Sequence, residues 1–230
     1  MPVTAGSESL LGEAVYKRLL DRIFTGELPP GAPLSVPALA ADLEVSRSPV
    51  RDSVQRLVAD GLAVHTPHAG ARVALVDDQE IADVFAVREL LDGYAASAAT
   101  LRATAADVRQ LVTLVDAQQS RLTAPADALS EARWDLEFHT AVRDLAGNRT
   151  LSDALHRLDA KAHLYNSGLW SDDAGRRFAV AEHTAIVAAI EVGDAAAAER
   201  AAAAHVAALG VRMRRITRDR NATDHGSTPR

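Results

Sequence analysis

The stretch LSVPALAADLEVSRSPVRDSVQRLVADGLAV (residues 34–64) carries the densest structural signal in the chain. VPALAADLE reads as a short helix, EVS as a tight connection, and residues 47–60 as a second helix that stops at Gly61, which suits the position after a helix end. In that second helix Val50, Val54, Leu57 and Val58 fall at i, i+4, i+7 and i+8, one inward stripe. Arg47 and Arg51 stand one turn apart, off the stripe. Ser46, Ser48 and Pro49 open the helix; serine caps free N–H groups there, and proline is harmless in a first turn.

Upstream, Leu11, Val15, Leu19, Leu20 and Ile23 give helical spacing over residues 9–24, and ELPPGAP breaks the pattern. Downstream, LAVHTP and ARVALV are β-prone segments around a His-Ala-Gly turn, which reads as a hairpin. Three helices and a hairpin make a winged helix-turn-helix. A helix N-terminus with two arginines suits a DNA major groove, since its positive end attracts phosphate and arginine can bond guanine bidentately. The DNA-contacting set is then Arg47, Ser48 and Arg51, with Arg72 and His68 on the wing. Arg47 and Arg51 by themselves fit a solvated helix face better; their context is what changes the balance.

From residue 77 the strand signals vanish, and six helices are expected at about 78–101, 104–121, 126–146, 149–168, 171–192 and 194–216. Gly147-Asn148 and Gly193-Asp194 punctuate the pattern as a helix stop followed by an N-cap. The organisation is thus 1–76, a winged unit; 77–216, an all-α six-helix bundle; and 217–230, a polar tail expected to be disordered. Hydrophobic residues are 48% and charged ones 24%, ordinary for a folded chain. There is no cysteine, hence no disulfide or thiolate chemistry. Neither a signal peptide nor a membrane-spanning run is apparent, so the expected location is cytoplasmic, with no membrane partner. The net charge is −6 overall, and residues 1–76 carry seven Lys and Arg against eight Asp and Glu. DNA affinity must therefore come from a clustered face doubled by symmetry rather than from bulk charge.

The stretch WDLEFHTAV (134–142) turns Phe138, Val142 and then Ala146 inward, with Asp135 and His139 on the same face. His183 shares a face with Ile186, Val187 and Ile190, and His205 lies among Ala198, Ala201, Ala202 and Leu209. A buried polar group without a partner costs about 1–3 kcal/mol or more, and four such groups can satisfy one another around a metal ion. Taken singly, each histidine reads more simply as a satisfied core residue, and Asp135 as a cap or a partner for Arg133 or Arg88.

The segments ELPPGAPL, LA..L.VSRSPVR, L..DGL and G.RV together closely resemble the DNA-binding segment of the GntR superfamily of bacterial regulators. Arginines at the positions of Arg47 and Arg51 contact operator DNA in that family. Three positions depart from its pattern: Glu44 stands where glycine is usual in the turn, Pro37 replaces a polar residue, and His68 occupies a place where a basic wing residue is common. The order D-x3-H, EH and H, with the earlier AVRELLDGYAASAA, looks like the FCD domain of the FadR-type branch, and six helices look like its VanR-like subgroup. The resemblance implies that Asp135, His139, His183 and His205 coordinate a divalent ion; three imidazoles and one carboxylate suit zinc or nickel. It further implies a homodimeric regulator, most simply a repressor, of a palindromic operator, responsive to a small organic acid beside the metal. Arg88 could clamp that acid, or could equally form a salt bridge to Glu89 or Asp92. A direct metal sensor and a metalloenzyme are the rival readings, the latter without an obvious further general base.

Overall fold

The computed structural model describes residues 5–66, 70–75, 78–164, 170 and 173–225, with side chains described for 10–66, 70–75, 79–162, 170 and 173–216. His68 lies outside the described residues. The chain divides into two compact units, Met1–Val76 and Asp77–Arg230.

The first unit holds α1 (Ala5–Phe24), α2 (Val36–Asp42), α3 (Arg47–Ala59) and an antiparallel hairpin of β1 (Ala63–Thr66) and β2 (Gly70–Val73), registered Ala63 on Val73 and Thr66 on Gly70. Val15, Leu19 and Ile23 of α1 are buried with Val50, Val54 and Leu57 of α3, as the two apolar stripes require. Leu11, expected on the α1 stripe, is instead exposed, because the stripe begins one turn later, at Val15. The Tyr16 hydroxyl donates to Asp60 at 2.5 Å, tying α1 to the end of α3, and the Ser53 hydroxyl donates to the Pro49 carbonyl at 2.7 Å within α3.

One backbone device closes both helices of the helix-turn-helix. After α3, Gly61 adopts φ +75°, and the N–H groups of Gly61 and Leu62 donate to the carbonyls of Val58 and Leu57. After α2 the same pattern recurs: Glu44 and Val45 donate to Ala41 and Ala40, and Glu44 takes φ +56°. Glu44 therefore tolerates the left-handed conformation rather than avoiding it, at a cost of roughly 1–2 kcal/mol.

The second unit is all helical: α4 (Asp78–Thr100), α5 (Ala105–Arg121), α6 (Ala128–Leu145), α7 (Arg149–Leu164), α8 (Asp173–Glu191) and α9 (Ala195–His225). A capping box of Thr104 and Asp107 starts α5. Gly147 (φ +64°) and Gly193 (φ +76°) follow α6 and α8. α4 and α9 approach so closely that a Cβ on Gly210 would stand 3.0 Å from the Phe85 side chain. The core joins Ala96, Leu111, Phe138, Val142, Ile186 and Ile190.

The tail expectation needs correction. α9 continues to His225, so a helical backbone replaces the disorder expected from residue 217 as far as that point. Polarity alone does not end a helix. Between Gly210 and His225 the sequence has no proline, and each further residue adds one more backbone hydrogen bond to the growing end. Among the described residues no helix is long and apolar enough to cross a membrane.

Candidate metal centre and nucleic-acid interface

Asp135 and His139 come from successive turns of α6, His183 from α8 and His205 from α9. All four are buried, and one ligand atom from each lies within 4.8 Å of every other. The Nε2 atoms of His139 and His205 are 3.2 Å apart; Asp135 lies 3.4 Å from His183 Nε2 and 3.8 Å from His139 Nε2. Two nitrogens bound to one zinc-like ion at 2.0–2.1 Å lie about 3.0–3.4 Å apart, so the spacing fits a shared cation. The His183 ring also stacks on Phe138 at 4.0 Å between centroids, which fixes its plane.

The outer nitrogens decide which tautomers are present. Gln118 donates through Nε2 to the Trp134 carbonyl at 2.9 Å, which turns its Oε1 toward His183 Nδ1 at 2.8 Å. His183 Nδ1 therefore carries the proton, and Nε2 presents a lone pair to the cluster. His205 Nδ1 lies 2.7 Å from Glu182, so it too donates outward and leaves Nε2 bare. Glu182 is locked in turn by both Nη groups of Arg212, at 3.0 and 2.8 Å. Such outward bonds orient metal-binding imidazoles and raise their basicity toward the ion.

The electrostatics follow from burial. Desolvation lowers the pKa of His183 well below its ordinary value and lowers that of His205, so both rings are neutral and ready to ligate. Desolvation pushes the Asp135 carboxyl up to about 8 against the pull of Arg88. Burial also raises Glu182, but hydrogen bonds from His205 and Arg212 outweigh it and hold that carboxyl at about 2. A positive ion among these groups would reverse the penalty on Asp135. The donor set, its spacing and its tautomers fit a divalent cation.

Arg88 is fully buried, with Nε 3.2 Å from Asp92 and an Nη 2.9 Å from Asp159. Arg143 also bonds Asp159, so two arginines and two aspartates form one buried network across α4, α6 and α7. Asp92, not the exposed Glu89, is the partner on α4, and Asp92 stands 3.7 Å from His139 Nδ1. Nothing in the sequence pairs Asp159 with Arg88, since it lies 71 positions away on another helix. Gln118 was missed although it stands on the stripe of Leu111 and Val115, the same signal that singled out Asp135. Glu182 gave no sequence signal for His205, since the two meet only where α8 and α9 pack.

In the winged unit Arg47, Ser48 and Arg51 are exposed at the start of α3, and neither arginine has a hydrogen bond or ion pair among the described residues. Ser46 is the N-cap by backbone, but its side chain makes no capping hydrogen bond, contrary to expectation. The first N–H groups of α3 therefore remain open to an outside acceptor. Arg56, further along α3, is engaged differently: it pairs with Glu13 at 2.5 Å and lies over the Tyr16 ring. Arg72 is exposed on β2 and donates to the Gly31 carbonyl at 3.1 Å, bracing the wing against the loop before α2.

Comparison with known proteins agrees with this division of labour. Residues 11–73 match the family model described as bacterial regulatory proteins, gntR family, and residues 83–208 match the FCD domain. An uncharacterized HTH-type transcriptional regulator from Streptomyces ambofaciens is 31% identical over 88% of this chain and 84% of its own length. A probable D-xylose utilization operon transcriptional repressor from Paenarthrobacter nicotinovorans is 30% identical over 81% of each. Among solved structures, E. coli McbR/YncC superposes with a TM-score of 0.80 at 20% identity, covering 90% of this chain and 98% of that one; it speaks for the fold. The relatives are regulators rather than enzymes, which removes the metalloenzyme reading. The chain is a transcriptional regulator and belongs to the GntR family of bacterial regulatory proteins, in the group that carries an FCD domain.

Proposed function

We propose that this chain is a homodimeric, cytoplasmic repressor whose grip on a palindromic operator is set by a small carboxylic acid bound beside a divalent ion. Asp135, His139, His183 and His205 would hold the ion, zinc or nickel. Arg47, Ser48 and Arg51 would read the operator, with Arg72 and His68 of the wing on its backbone. The observation that carries the reading is the outward hydrogen bonding of His183 and His205, which leaves their Nε2 lone pairs facing Asp135 and His139. When bound, the ion supplies a positive charge that can accept a carboxylate oxygen in place of water. With a six-coordinate ion these four residues would leave two positions for the acid, whereas with a tetrahedral ion they would leave none.

Repression is favoured by the name of the Paenarthrobacter relative. A dimer is favoured by α4, where Val87, Leu90 and Tyr94 form one exposed apolar stripe at helical spacing, 45–74% exposed, with Leu101 exposed just past the helix end. A second copy covering that stripe would relate two winged units by a two-fold axis, as a palindrome requires. Arg88, proposed from sequence as a clamp for the acid, is occupied by Asp92 and Asp159 and would have to release one of them to take that part. In this reading its first task is to hold Asp92 near His139.

The test is a gel-shift titration on an operator selected from random duplexes, with protein stripped of metal, reloaded, and reloaded in the presence of short acids. Acid should weaken binding of the loaded protein by about 5–150-fold, the usual range of allosteric coupling, and leave the stripped protein unaffected. If metal removal alone changes affinity and no acid acts, the ion itself is the signal.

A further inference from the structure

Beside the metal centre lies a small cavity lined by Gln118, Trp134, Asp135, Trp170, Arg176 and His183, with room for roughly one water-sized oxygen, about 10 Å3. Asp135 and His183 face it from the metal side. The other wall is unusual. Trp170 is 4% exposed, and its Nε1–H has no acceptor among the described residues. Arg176 is 1% exposed; its two Nη groups donate to Glu131, Asp173 and the carbonyls of Arg121 and Ala124, but its Nε–H has no acceptor either. Buried indole and guanidinium N–H groups ordinarily find partners, because leaving them dry forfeits the hydrogen bonds they made to water. Glu131, which also lines the cavity, is taken up by the Nη side of Arg176, so neither of these two N–H groups meets a protein oxygen, and together they mark a place for an oxygen brought from outside.

We infer that Trp170 Nε1–H and Arg176 Nε–H form a second polar contact for the effector, so that the acid carries another oxygen acceptor (hydroxyl, keto or second carboxylate) besides the carboxylate held at the metal. This rests on the effector reading given above. Glu131 and Asp173 already balance the Arg176 charge, so the pair acts through directed N–H groups and serves a neutral acceptor as readily as an anionic one. A simple aliphatic monocarboxylate would leave both donors dry and be rejected, as sites built to hydrogen-bond an oxygen reject analogues that lack it.

The experiment is calorimetry on the zinc-loaded full chain with two probe classes: propionate and butyrate against lactate, malonate and succinate. The wild type should favour at least one of the acceptor-bearing acids over the simple ones by about tenfold, the worth of one well-made buried hydrogen bond. Trp170→Phe keeps the ring and removes the donor; it should retain its metal while losing most of that preference. A second measurement does not depend on how the variant folds. The chain has two tryptophans, so a spectrum with 15N-labelled indole holds two Nε1–H signals, assigned with Trp134→Phe. The Trp170 signal should move with an acceptor-bearing acid and stay with propionate. A preference unchanged in Trp170→Phe, or a Trp170 signal that moves equally with both classes, overturns the inference and leaves the effector reading standing. Failure of every acid to bind the wild type overturns both.

Discussion

The two units of this chain treat polar side chains in opposite ways. In the winged unit the polar side chains brought inside, among the described residues, are Ser53 and Tyr16 with its hydroxyl, and Arg47 and Arg51, proposed to contact DNA, stand in solvent. In the helical unit aspartates, arginines and histidines are buried together, each placed against others. The difference follows from the partner. A DNA phosphate or base edge arrives from outside and needs donors waiting at the surface. The ion and small acid proposed for the helical unit would be enclosed, so their ligands would have to be held dry and pre-oriented, and every buried charge then needs a neighbour. Stability and function are separable in the first unit and intertwined in the second.

The strongest way to break this comparison is Arg88→Met. It leaves Asp92 and Asp159 buried with one arginine fewer, and removing one partner of a buried charge network costs about 3–5 kcal/mol. Chemical denaturation checks it; a loss below about 1 kcal/mol, the scale of an exposed ion pair, would mean that the network is not buried in solution.

Metal removal comes next. An ion bound only by the folded bundle, at a thousandfold excess over its Kd, stabilises by about 4 kcal/mol, roughly 10 °C in Tm for a domain of this size. His183→Ala should lose both the ion and that increment, read by elemental analysis and thermal melts. Acidity sharpens the same point. With its carboxyl raised to about 8, Asp135 is largely protonated at pH 7 in the ion-free protein, and ligation must expel that proton. His183 and His205, held below their ordinary pKa, are already neutral there. Binding at pH 7 should therefore release about one proton and at pH 9.5 almost none, with apparent affinity falling about tenfold per pH unit below 8. Calorimetry in buffers of different ionisation enthalpy measures the release; none at pH 7 would place Asp135 outside the ligand set.

For the winged unit the expected effect is on binding and not on folding. Arg51→Ala should weaken operator binding by about 1–3 kcal/mol if it reads a base bidentately, with Tm unchanged because the side chain packs on nothing. A drop in Tm would contradict the separation of roles. The smallest effect is Glu44→Gly. Relief of the left-handed strain, less the greater freedom of glycine in the unfolded chain, should stabilise by about 0.5–1 kcal/mol without altering DNA affinity. A destabilised variant would mean that the glutamate side chain does something in the turn that outweighs the strain.

The sequence by itself determined the helices, the hairpin, the two turns of the helix-turn-helix and the positions of Asp135, His139, His183 and His205. All of these are legible because apolar stripes repeat every turn, and a polar residue that interrupts one stands out locally. Gln118 interrupts the stripe of Leu111 and Val115 in the same way. The sequence did not disclose that Glu182 would orient His205, that Arg88 would face Asp159, that Ser46 would leave its helix end uncapped, or that Trp170 and Arg176 would meet at one cavity. Nor did polarity reveal that α9 runs on to His225. Periodicity reports which face of a helix is buried, and that is a property of neighbours in the chain. Which atom a buried group then meets depends on how six helices pack, and only the tertiary structure decides it.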